Sequence, residues 1–151
     1  MIKKYLFSAI MVAGLVFQSC SKDDDDNSSS MTTIEKLCNE GWIIDNVKMT
    51  MNNVEQDMTD IMFDACALDN VTTYDVDNTL TMDEAADVCV DAVQNLDGAW
   101  SLSDDESTLS VTMDGMTEEF TIDAISSSSI TLSTEISMGG LVAKTEIKFK
   151  H

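Results

Sequence analysis

Apolar and polar residues alternate with period two through most of residues 32–151, and two stretches there depart from that rhythm. In the first, Thr32 and Glu35 stand at capping-box spacing, and Ile34, Leu37 and Cys38 recur at helical intervals. Gly41 comes next at a natural stopping point, so the pattern predicts a short amphipathic helix over 33–40. In the second, Val54, Met58, Ile61, Met62 and Ala65 fall on one face of a helix, which predicts a helical insertion near 54–65.

Elsewhere the alternation predicts strands. Trp42 and Ile44 alternate, then Val47, Met49 and Met51, with a break near Asp45-Asn46 that reads as a β-bulge. Turn pairs punctuate the rest of the chain: Asp77-Asn78, Asp114-Gly115 and Gly139-Gly140. Between the last two of these, Phe120, Ile122 and Ala124 alternate. The count is eight strands, near 42–51, 71–76, 79–86, 98–103, 107–113, 116–124, 129–136 and 141–149. Eight antiparallel strands in sequence order predict an all-β, up-and-down barrel, which would remove exposed edges and be just wide enough for one small ligand.

Composition narrows the function. The chain has 151 residues and a formal net charge of −20. It has no arginine and no proline, and its one histidine is His151. Such a charge repels a phosphate backbone, so no nucleic acid is expected as partner. With no internal histidine, a Ser-His-Asp or Cys-His centre and a His-ligated zinc site are excluded. Asp75, Asp77 and Thr79 imitate the start of a calcium loop, but Ala86 stands where the closing glutamate belongs, so a hairpin turn explains them. No enzyme activity, no cofactor and no metal are expected.

The N-terminal residues read as an address. Lys3 and Lys4 precede an apolar run from Leu6 to Phe17, the pattern of a signal peptide over 1–19. Ser19 directly before Cys20 resembles the bacterial lipobox, which implies lipidation at Cys20 and membrane lipid as a partner. Residues 20–31 then read as a lipidated cysteine and an acidic Ser/Asp tether. The run Asp23 to Asp26 just behind the cysteine resembles a signal for export to the outer leaflet. The expected location is the bacterial outer membrane, lipid-anchored and surface-exposed.

Residues 32–151 then form the folded domain. Gly41-Trp42, Asp64-Ala65-Cys66, Asp69-Asn70, Cys89, Gly98-Ala99-Trp100-Ser101-Leu102 and Thr108-Leu109-Ser110-Val111 come in an order that resembles the bacterial lipocalin-like domain of small outer-membrane lipoproteins. The resemblance implies a small closed barrel crossed by an N-terminal helix. It does not imply a particular ligand.

Three cysteines remain beside Cys20, and they allow three single pairings. Cys66 and Cys89 flank one strand–turn–strand unit, and the resemblance implies a disulfide between them. Cys38 reads either as a small buried hydrophobe or as a reactive thiol. Trp42, Met49, Met51, Met82, Trp100 and Met113 occupy inward-looking apolar positions. They could line a pliable pocket for a small apolar or amphipathic ligand, or simply fill the core of a structural or protein-interaction module.

Overall fold

The computed structural model describes residues 31–90, 95–138 and 140–151. The signal peptide over 1–19, the lipid site at Cys20 and the tether up to residue 30 lie outside the described residues.

Helix α1 (Thr33–Leu37) starts with the expected capping box: the Thr32 hydroxyl accepts from the Glu35 N–H at 3.1 Å, and the Glu35 carboxylate accepts from the Thr32 N–H at 2.7 Å. The helix stops earlier than the apolar spacing predicts, with Cys38 at its C-cap. The remainder is antiparallel sheet: β1 (Ile43–Met51), β2 (Val54–Asp57), β3 (Val71–Tyr74), β4 (Thr79–Asp83), β5 (Asn95–Leu102), β6 (Thr108–Met113), β7 (Met116–Ile125), β8 (Ser129–Met138) and β9 (Leu141–Lys150). The strand order is β2-β1-β9-β8-β7-β6-β5-β4-β3.

Two expectations need correction here. The protein is all-β and antiparallel, but the sheet has nine strands and its ladder does not close into an eight-stranded barrel. The extra strand is β2, in the stretch read as helical. Asn52 and Asn53 both take positive φ, 51° and 62°, as a two-residue type I′ turn requires. The chain therefore reverses at once, and Val54 pairs with Met51 and Asp57 with Lys48. Strand β2 thus occupies the free side of β1. Only Trp42, ahead of β1, still reaches β3, through a single bridge with Thr72 whose two hydrogen bonds measure 2.7 and 2.8 Å. The sheet curls far enough for β3 to meet the residue ahead of β1 at that bridge.

The helical insertion near 54–65 shrinks to one turn, α2 (Thr59–Met62), and a 3-10 turn over Ala65–Ala67. Its apolar stripe is not a packing face: Val54 is 60% exposed and Ile61 73%. Period alone could not separate a helix stripe from a hairpin followed by a turn.

The bulge expected near Asp45 is present between Ile44 and Asn46. It keeps Ile44 and Val47 on the concave side and turns Asp45 outward, where its carboxylate meets Lys150 at 2.8 Å and Lys148 at 3.2 Å. A second bulge between Ile122 and Ala124 breaks the alternation read through Phe120, Ile122 and Ala124. It exposes Ala124, packs Ile125 against the core, and sends Asp123 outward to Lys144 at 2.8 Å. The core is the concave face: Leu37 from α1 with Trp42, Tyr74, Leu80, Trp100, Leu109, Ile130 and Leu132. Cys66 and Cys89 are disulfide-bonded and Cys38 is free. The bond ties the connection after β4 to the segment before β3.

Candidate functional site

The concave face does not fill completely. It keeps a cavity of about 340 Å³, near the lower end of the range for small-molecule sites, roughly 300–1,000 Å³. Its walls come from almost the whole sheet. Ile44 contributes from β1, Thr72 and Tyr74 from β3, and Leu80 from β4. Val111 and Met113 come from β6, and Met116, Glu118 and Phe120 from β7. Leu132 and the pair Ile147 and Phe149 complete the ring from β8 and β9, and Phe63 reaches in from the segment after α2.

Strand register explains why these side chains converge. The pairs Leu109 with Phe120, Val111 with Glu118, and Met113 with Met116 stand opposite one another across β6 and β7. Alternation then places all six on one face. The intervening Thr112 and Thr117 lie on the outer face, where their hydroxyls meet at 2.8 Å. Gly98 makes room in the neighbouring strand. A methyl group there would run into the Thr112 carbonyl and approach Met113 Cγ at 2.9 Å and Leu80 Cδ2 at 3.1 Å.

The lining is apolar with three polar exceptions. Tyr74 is buried, and desolvation pushes its phenol above the ordinary range, so it stays neutral. Thr72 uses its backbone for the bridge to Trp42. Glu118 is exposed and is the one charged side chain of the lining. Met116 beside it is 69% exposed, so this end of β7 forms the rim.

Of the six apolar residues singled out in the sequence, only Met113 lines the cavity. Trp42 is buried, its indole N–H donates to the Leu37 carbonyl at 2.9 Å, and its ring centroid lies 3.9 Å from that of His151. Trp100 donates to the Asp75 carbonyl at 3.0 Å and meets Tyr74 edge-on, centroids 5.8 Å apart. It shares the concave face with Val111, its partner across β5 and β6, but does not reach the cavity. Met82 is half-buried between Thr72 and Leu96, and Met49 between Gln56 and Thr145. Met51, at the end of β1, is exposed.

The sequence pattern did not single out Phe63 and Glu118 as site residues. Phe63 lies in a segment whose period misled. Glu118 had a readable signal: it is the one acid in the otherwise apolar series Met116, Glu118, Phe120, Ile122.

Among the described residues no three histidine, cysteine or acidic side chains are grouped to hold a metal ion. No protein-family model and no curated protein matches the chain.

Proposed function

We propose that this chain is a lipid-anchored, lipocalin-like binding module that holds a small apolar or amphipathic molecule in the concave cavity. The observation that carries the reading is the cavity itself, about 340 Å³ walled by Phe63, Phe120, Phe149, Leu80, Leu132 and Ile147. A concavity of this size that opens to solvent and is lined mainly by apolar side chains has the form of a small-molecule site. Thr72, Tyr74 and Glu118 are the only polar side chains of the lining, so most of its surface offers water no partner. The signal-peptide and lipobox patterns before the domain, with Cys20 as the acylated residue, support a place at the bacterial outer membrane, where apolar compounds concentrate.

The test is a fluorescence titration with decanol. Trp100, in contact with Tyr74 of the wall, is the reporter. Saturable binding that disappears in a folded Val111→Trp variant supports the reading. A titration without saturation in the wild-type protein removes it.

A second reading, a protein-interaction module, has one observation in its favour. Met51, Val54, Ile136 and Leu141 are all exposed and share one face of neighbouring strands at one end of the sheet. Apolar rows of this kind mark contact surfaces. Replacing Ile136 and Leu141 with serine would abolish partner capture under this reading and leave decanol binding untouched under the first.

A further inference from the structure

The wall of the cavity assigns a charge to what it holds. Its side chains are apolar or neutral except for Glu118, which faces Val111 across β6 and β7 at the rim. No ion pair is formed by Glu118 among the described residues. The lysines Lys48, Lys144, Lys148 and Lys150 alternate with the inward residues and pair on the outer face with Glu55, Asp123 and Asp45. An acid at an inward position of a strand is a departure from the apolar pattern that no fold contact explains. It remains hydrated at the mouth, so it costs little, but it offers a carboxylate beside a greasy chamber. The wall also carries four aromatic side chains, Phe63, Tyr74, Phe120 and Phe149, and a ring attracts a cation set over its face. The net charge of −20 steers in the same direction and disfavours anions at the entrance.

We propose that the cavity takes a cationic amphiphile, its alkyl part against the aromatic wall and its ammonium group at Glu118. This rests on the reading of the cavity as a ligand site and adds the headgroup.

The experiment measures binding of decyltrimethylammonium, decanol and decyl sulfate to the purified full chain at about 0.15 M salt, where charges beyond about 8 Å are screened. The cation should bind roughly two- to fivefold more tightly than the alcohol, as one exposed charge contact allows, and the sulfate most weakly. Glu118→Gln should erase the gap between cation and alcohol without altering the affinity for decanol. Glu119→Gln is the control: it removes the same charge one residue away, on the outer face opposite Ser110, and should leave the gap intact. A gap that survives in Glu118→Gln, or is lost equally in Glu119→Gln, overturns the assignment of Glu118. Decanol binding as tightly as the cation overturns the headgroup while the ligand cavity stands. Failure of all three probes to bind overturns both.

Discussion

The indole N–H of Trp42 donates to the carbonyl of Leu37 at 2.9 Å, so the tryptophan just ahead of the first strand also closes the helix before it. Both residues are fully buried. The bond satisfies one of the helix's terminal carbonyls where water cannot reach. The backbone of the same tryptophan bridges to Thr72, so one residue holds helix, first strand and far edge together. Trp42→Phe keeps most of the ring and removes the donor. It should cost about 1–3 kcal/mol, the penalty for leaving a buried acceptor unpaired. Urea unfolding checks this, and an unchanged midpoint would mean that the Leu37 carbonyl finds water instead.

Thr145 carries the opposite situation. It is 1% exposed, and its hydroxyl oxygen has no partner among the described residues. Thr145→Val replaces a buried, unsatisfied hydroxyl with a methyl group of the same shape. Stability should rise by about 1 kcal/mol. A fall on thermal melting would show that the hydroxyl is solvated or bonded in solution.

Gly98 allows β5 to lie against the backbone of β6. Gly98→Ala places a methyl group against the Thr112 carbonyl, which cannot move without disturbing the ladder. The variant should lose about 1–3 kcal/mol as an overpacked core position. Gly140→Ala makes a useful contrast, because nothing lies within 4 Å of the added group there but φ is +88°. Its penalty comes from backbone strain alone. Equal losses with no change in strand pairing by NMR at either site would refute the packing explanation for Gly98.

The bond between Cys66 and Cys89 closes a loop with a sequence separation of 23. Chain entropy gives about 3 kcal/mol for such a closure. Reduction, or the double replacement by serine, should lower the unfolding free energy by that order. Burial, and then the charge of Asp75, push the Cys38 thiol up, so it should alkylate slowly near neutral pH. Peptide mapping after alkylation of the unreduced protein should find the label on Cys38 only within the domain. Label on Cys66 or Cys89 would contradict the pairing.

Acid should act through the bulge aspartates. Hydrogen bonding to Lys150 and then Lys148 holds the Asp45 carboxyl below the usual carboxylate range. A depressed native pKa means stability that is present above the unfolded value, about 3.9, and lost as pH falls through the native one. Asp45→Asn should therefore lower the thermal midpoint at neutral pH, and the difference from wild type should vanish on strong acidification. Comparing the two proteins at each pH cancels the general relief of repulsion as the other acids protonate. A difference constant across pH would refute the ion-pair account. Asp105 makes a second check: hydrogen bonds from Ser103 and Ser107 pull it down to about 2, which side-chain NMR titration can read directly.

Local chemistry alone determined much of this protein. The capping box at Thr32 and Glu35, the Asp114-Gly115 turn, the bulge at Asp45 and the apolar alternation each depend on residues a few positions apart, so they are visible in the sequence. All eight expected strands exist for that reason. Three things required the folded chain. The pairing of β2 with β1 depends on two asparagines taking positive φ, which a helix-like stripe in the following residues concealed. Whether the sheet closes depends on which strand claims the free side of β1, a competition between distant segments that no local pattern records. The cavity is decided the same way. Inward positions are legible from period two, but whether opposite side chains meet depends on how the sheet curls. That curl draws Trp42 and Trp100 into backbone-anchored packing and leaves the space in front of Phe120, Phe149 and Glu118.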